Sequence, residues 1–247
     1  MKSTLSALLA CLLCTLGAAT AQDINPLTIH TNDGLKLAAR HFAPKTSGNG
    51  ILLLNMCDPQ ADMTHWDGVA AKLQDKGFHV LTFDYRGFGE SEGEKLKGTS
   101  QAEVIQIWRD EWLTDVEAAY SLLASQSGVT SEAIGVAGAS CGTFLGLEFI
   151  LTHPNVKAFA SLGGPVDDSL ISRLEKNKTT IPMLLIGASE GLTLDWSDRV
   201  FNVSQNQRTQ LTKYKFVKHG TDILFEVPEV ENQIADWFEL YLNHPKK

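Results

Sequence analysis

The run Ala133-Ile134-Gly135-Val136-Ala137-Gly138-Ala139-Ser140-Cys141-Gly142-Thr143-Phe144-Leu145-Gly146-Leu147-Glu148-Phe149-Ile150 decides how this chain folds. Its first part is short, small and apolar, the composition of a strand buried on both faces. Its last part reads as a helix. Between them stands Gly138-Ala139-Ser140-Cys141-Gly142, a G-x-S-x-G pentapeptide. A serine on so sharp a turn needs small residues two positions before and two after, because the backbone is strained there and packs closely on its flanks. Gly138 and Gly142 supply them, and Ser140 is a candidate nucleophile. The pentapeptide alone is common; the strand in front of it gives it weight.

Outward from that turn, strand-like and helix-like segments alternate, the pattern of a parallel sheet covered by helices. Leu27 to Thr31 and Leu35 to Phe42, joined by Asn32-Asp33-Gly34, read as an opening antiparallel hairpin. Ile51 to Met56, His79 to Asp84, Ala133 to Gly138, Val156 to Leu162, Met183 to Ile186 and Lys213 to Val217 read as buried strands, which makes eight in all. Helices are expected near Trp66 to Lys76, Gln101 to Ala124, Cys141 to Leu151, Ser169 to Lys176, Trp196 to Gln210 and Glu229 to Asn243. In the longest, Trp108, Trp112, Val116, Ala119 and Leu123 form a stripe suited to packing on the sheet. The fold class is therefore α/β, an eight-stranded, mostly parallel sheet with helices on both faces.

Met1-Lys2-Ser3, an apolar run from about Leu5 to Ala18 and the small residues that follow have the three regions of a secretory signal peptide. Residues 1–21 are expected to be that signal, and residues 22–247 one domain. Leu8-Leu9-Ala10-Cys11 has some lipid-attachment character, but the apolar run continues past the cysteine. No later segment approaches the roughly 18 to 20 apolar residues of a membrane helix. The expected location is outside the cytoplasm, periplasmic or secreted. A formal charge of −8 over 247 residues disfavours nucleic acid and anionic membranes as partners. Nor is any obligate protein partner evident.

A hydroxyl attacks a carbonyl well only when a neighbouring base takes its proton. His219 is the first candidate, since it follows Tyr214-Lys215-Phe216-Val217 and so falls where the last strand ends. Catalytic groups in open α/β sheets gather at the carboxyl ends of strands. His65, after Ile51 to Met56, is the runner-up. His30 and His41 fall in the hairpin, His79 begins a strand and His153 closes a helix.

A serine followed by a histidine near the carboxyl terminus resembles the α/β-hydrolase superfamily. Two stretches carry the resemblance, which runs over nearly all of residues 22–247. His79-Val80-Leu81-Thr82-Phe83-Asp84-Tyr85-Arg86-Gly87-Phe88-Gly89-Glu90-Ser91 is similar to that family's strand and D-x-R-G-x-G-x-S loop, and Ile134 to Gly142 to its elbow. The resemblance implies acyl transfer through Ser140 with His219, on a small ester or acyl substrate, without a cofactor. It does not name the substrate, because the superfamily hosts many.

Two departures matter. Asn55-Met56 replaces the familiar His-Gly after the third strand, so the first backbone amide for an oxyanion falls at about Cys57, opposite that of Cys141. Since both amides must converge on one oxygen, the two cysteines are expected close in space, as a disulfide or a pair of thiols. The second departure is the acid. The loop after Met183 to Ile186 reads Gly187-Ala188-Ser189-Glu190-Gly191, with glycine where the family has aspartate. Glu190 is the first candidate to orient His219, Asp195 or Asp198 the next, and Asp167 or Asp168 a further route. Without such an acid, the alternative reading is a non-catalytic binding protein with a degenerate triad.

Other chemistries fit less well. No Cys or His pair has zinc-ligand spacing. Gly87-Phe88-Gly89 runs into Glu90-Ser91-Glu92, which fails the dinucleotide fingerprint and sets acids where phosphates would sit. Cys141 as nucleophile, in the manner of dienelactone hydrolases, would shift the elbow by one residue and place Ala139 where glycine is needed.

Overall fold

In the computed structural model, residues 24–98, 100–188 and 193–244 are described. The chain enters through an antiparallel hairpin, β1 (Ile24–His30) and β2 (Lys36–Phe42). Its turn is closed by Gly34 at φ 92°, whose N–H donates to the Thr31 carbonyl at 3.0 Å. The positive φ is what the Asp-Gly pair supplies. β3 (Gly48–Leu54), β4 (His79–Phe83), β5 (Val129–Ala139), β6 (Val156–Leu162), β7 (Met183–Ala188) and β8 (Gln210–Tyr214) complete the sheet. The order is β1-β2-β4-β3-β5-β6-β7-β8, with β2 antiparallel to β4 and the pairs from β4 to β8 parallel. This is the eight-stranded, mostly parallel sheet that the alternating segments imply.

The apolar runs are continuous because both faces of the sheet are covered. Ile51 and Leu53 join one core with α1 (Asp67–Asp75), the short α7 (Ile223–Glu226) and α8 (Glu229–Phe238). Leu52 and Leu54, on the opposite face, join another with α3 (Leu113–Ser125), α4 (Cys141–Ile150) and α5 (Asp168–Lys176). Ile105 of α2 (Gln101–Ile107) and Val200 of α6 (Thr193–Val203) belong to the second core. Among the described residues, no helix is long and apolar enough to cross a membrane. Residues 1–21, read as a signal, lie outside the described residues.

Three elements differ most from expectation. The helix foreseen from Gln101 to Ala124 is two helices joined by a π turn, Trp108–Trp112. The wider turn lets both tryptophans reach the core: Trp112 stacks on Tyr85 at 4.9 Å and Trp108 tilts against Phe144 at 5.6 Å. The helix foreseen to Gln210 ends at Val203, and the last strand is Gln210–Tyr214 instead of Lys213 to Val217. Asn206 makes the turn between them, its carbonyl accepting Thr209 N–H at 3.0 Å and its side chain Arg208 N–H at 2.8 Å. Phe216, two residues past the strand, stands at φ 62° and is 96% exposed. Its apolar character marks no buried strand position.

Candidate active site

Strands β3 to β8 run parallel, so their carboxyl ends, and the loops after them, lie on one edge of the sheet. β5 delivers Ser140 to that edge at φ 51°, ψ −119°, and α4 begins at the next residue. A non-glycine residue with positive φ outside the usual regions costs about 1–3 kcal/mol and persists only where its surroundings hold it. Two hydrogen bonds and three close approaches at glycine hold this one. Ser140 N–H donates to the Gly163 carbonyl at 2.8 Å, and its own carbonyl accepts Thr143 N–H at 2.9 Å. A Cβ on Gly138 would collide with the Gly142 carbonyl, and one on Gly142 would lie 2.6 Å from the Asn55 carbonyl. A Cβ on Gly164 would strike the Ser140 carbonyl itself. Gly138 and Gly142 are therefore steric necessities of the turn, as the pentapeptide implies. Gly164 is a third that sequence reading missed; the Gly163-Gly164 pair after β6 was its signal.

His219 follows β8, three strands along the sheet from β5, and its loop lies beside the same turn. It caps a single 3₁₀ turn, Gly220–Asp222, and is half-buried. Gly220 stands at φ 64°, where a Cβ would sit 2.6 Å from Met56 Sδ and 3.6 Å from Ser140 Cβ. The backbone carrying His219 thus packs on the residue expected as nucleophile and on the loop after β3. From that loop His65 reaches across, its Nδ1 3.1 Å from Thr221 Oγ1 and 3.9 Å from Asp222 Oδ1.

Cys57 and Cys141 are joined as a disulfide, with Cα atoms 5.9 Å apart. That separation lies inside the roughly 4.4–6.8 Å span a disulfide requires. It ties the loop after β3 to the first residue of the elbow helix.

The candidate acids are dispersed. Glu190 lies outside the described residues. Asp195, in the first turn of α6, is exposed, and Asp198 pairs with Lys213 at 2.7 Å. Asp167 caps α5 through Leu170 N–H at 2.7 Å and binds Arg109 at 2.8 Å. Asp168 pairs with Arg199 at 2.5 Å. Both ends of the Asp167–Arg109 contact are thus engaged in holding α5 against the π turn. Glu148, buried on α4, accepts from Arg109 at 2.9 Å and also from Arg173.

The D-x-R-G-x-G-x-S loop is a brace. Asp84, almost fully buried, accepts Met63 N–H at 2.7 Å and so ties the loop after β4 to the loop after β3. Burial pushes its carboxyl up to about 6, with the charges of Asp62 and Glu90 adding and the Met63 and Glu90 amides pulling the other way. Arg86 lies bidentate on the buried Asp115 of α3, at 2.7 Å from Nη2 and 3.0 Å from Nε, and also binds Asp33 at 2.8 Å. Ser91 Oγ donates to the Asp84 carbonyl at 2.6 Å and accepts Ala38 N–H at 2.9 Å. Among the described residues, no three His, Cys, Asp or Glu side chains are grouped to hold a metal ion.

A mostly parallel sheet of this order with a strained serine between β5 and α4 defines a hydrolase architecture, and the chain belongs to the α/β-hydrolase fold family, whose sequence pattern matches residues 54–196. A thiohydrolase of Aspergillus aculeatus, aneE, is 30% identical over 122 residues, 49% of this chain and 34% of that protein. An uncharacterized protein of Mycobacterium tuberculosis is 28% identical over 129 residues, 52% of this chain and 41% of that one. The chain thus spans less than half the length of these relatives. An esterase of Pyrococcus furiosus has the same fold, with a TM-score of 0.67 at 16% identity over 90% of this chain and 92% of that one. At that identity the likeness is one of fold.

Proposed function

We propose that this protein is an exported serine hydrolase that cleaves a small ester, or secondarily an amide, through an acyl-Ser140 intermediate. The observation that carries the reading is Ser140 held at φ 51° on the strand-to-helix turn, with the His219 loop packed against its Cβ. In this scheme His219 takes the Ser140 hydroxyl proton as Oγ attacks the carbonyl carbon. The amides of Cys57 and Cys141 receive the oxyanion that develops. His219 then returns the proton to the leaving alcohol, and a water deprotonated by the same imidazole hydrolyses the acyl enzyme. Glu190 is the proposed acid behind His219, with Asp195 and Asp198 as alternatives. The scheme uses no metal or organic cofactor. Export, to a periplasm or beyond the cell, is supported by the signal-like residues 1–21 and suits a disulfide, which persists in oxidising compartments.

A fluorophosphonate probe tests this directly. Ser140 is expected to be labelled in the wild type and unlabelled in Ser140→Ala, with turnover lost in His219→Ala. A panel of p-nitrophenyl esters of increasing acyl length, together with acyl thioesters because one relative is a thiohydrolase, reads the substrate class. Folded protein that neither labels nor turns over any member of the panel overturns the proposal. Comparing Glu190→Gln with Asp195→Asn assigns the acid.

A further inference from the structure

We infer that His65 is a positioning residue: it props the loop that carries His219 against Ser140, acting through the buried hydroxyl of Thr221. The inference rests on the reading of His219 as the base of an acyl-transfer site.

The loop Gly220–Asp222 is a wedge with two sides. On one, Gly220 lies against Met56 Sδ and Ser140 Cβ at φ 64°, a conformation open to glycine and poor at fixing a chain by itself. On the other, Thr221 is fully buried and its Oγ1 stands 3.1 Å from His65 Nδ1. The hydroxyl both donates and accepts, so this bond forms with either tautomer of the ring. The Asp222 carboxylate at 3.9 Å, from the same loop, and the Phe225 ring of α7 at 5.1 Å and nearly perpendicular flank the imidazole.

His65 itself stands on fixed ground. It belongs to a 3₁₀ turn, Met63–Trp66, whose N-cap Asp62 accepts Thr64 N–H at 2.8 Å. Met63 N–H donates to the buried Asp84 at 2.7 Å, and Trp66 is fully buried. A rigid turn thus bears on a loop hinged at glycine, two residues from His219. A base must keep its geometry closely, because a displacement of about 1 Å in a catalytic group can cost on the order of 100-fold in rate. A prop that confines the loop therefore acts on turnover more than on substrate binding.

The test uses the full-length protein with p-nitrophenyl acetate and hydrogen exchange of the amides from 219 to 224. Thr221→Val, which keeps shape and removes the hydroxyl, and His65→Ala are each expected to lower kcat about tenfold with KM within about twofold. The double variant is expected to lose little more than either single one. His65→Asn, whose side-chain amide stands where Nδ1 stood, and Thr221→Ser are expected to recover most of kcat. In Thr221→Val and His65→Ala the loop amides exchange faster, on the order of tenfold. The inference is overturned if folded Thr221→Val leaves kcat and loop exchange as in the wild type, or if only KM moves. Should His65→Ala not fold, Thr221→Val and His65→Asn decide it. A wild type that neither labels with fluorophosphonate nor turns over ester removes the hydrolase reading instead; faster loop exchange in the variants then still upholds the prop, and unchanged exchange removes it.

Discussion

Cys57 and Cys141 are 84 residues apart in the chain and 5.9 Å apart at Cα, and their bond closes a ring that contains α1, β4, α2, α3 and β5. A crosslink over so long a loop acts mainly by restricting the unfolded chain. Replacing both cysteines by alanine is expected to lower unfolding free energy by about 2–5 kcal/mol. Urea denaturation checks this, and an unchanged midpoint with an unchanged slope would contradict it. Because the bond also joins the two segments whose amides are proposed to receive the oxyanion, the same variant should label with fluorophosphonate more slowly.

Ser140 sits in a backbone conformation, φ 51°, that glycine adopts freely and serine only under strain. Relief of about 1–3 kcal/mol of strain, less about 0.5–1 kcal/mol for glycine's greater freedom in the unfolded chain, leaves Ser140→Gly more stable by on the order of 1 kcal/mol. A chain of this size then melts roughly 2–4 °C higher while losing all turnover. A lower melting temperature than the wild type would show that the hydroxyl contributes more to folding than the strain removes.

Two buried groups give opposing responses to acid. His41 and His79 face each other at 3.1 Å, and burial, with the charge of His79 adding, lowers His41 to about 4. The unfolded chain binds that proton near pH 6.5, so this contribution is intact above about 6.5 and is lost as pH falls toward 4. Asp84 runs the other way: its folded value of about 6 lies above the unfolded 3.8, so its contribution is present below about 3.8 and lost as pH rises through 6. Each is worth about 3 kcal/mol between its limits, and in the wild type they offset. Asp84→Asn removes one side of that balance. The stability of wild type minus variant is expected to shrink by about 2 kcal/mol between pH 4 and 6.5. A difference that does not vary with pH would mean that Asp84 titrates alike in the folded and unfolded chains.

The sheet and the elbow were legible because their causes are local. Strands buried on both faces appear as unbroken apolar runs, and the turn at Ser140 needs glycine at fixed offsets. The hinge of the site was less so. His65 and Thr221 meet across 156 residues, and no spacing in a sequence encodes such a pair. The π turn escaped because a helical stripe reads the same whether or not one residue is wound in. Phe216 misled because apolar residues also stand on surfaces, and its positive φ is a property of backbone rather than of side-chain type. Gly191 stands where the family's aspartate is expected, so the letters left the acid open among several carboxylates.

The π turn at Trp108–Trp112 sets how this helix tolerates change in length. It carries Arg109 onto the Phe144 ring at 5.0 Å and into the Glu148 carboxylate at 2.9 Å. Removing one residue there would restore a plain α-helix with its flanks still in register, because five residues of a π turn sweep about the angle that four sweep in an α-helix, but the residues within the turn would change face. Arg109 would leave Glu148 with a buried charge less one partner, and Trp108 would swing off Phe144. The single extra residue of this helix is fixed by the elbow helix it grips.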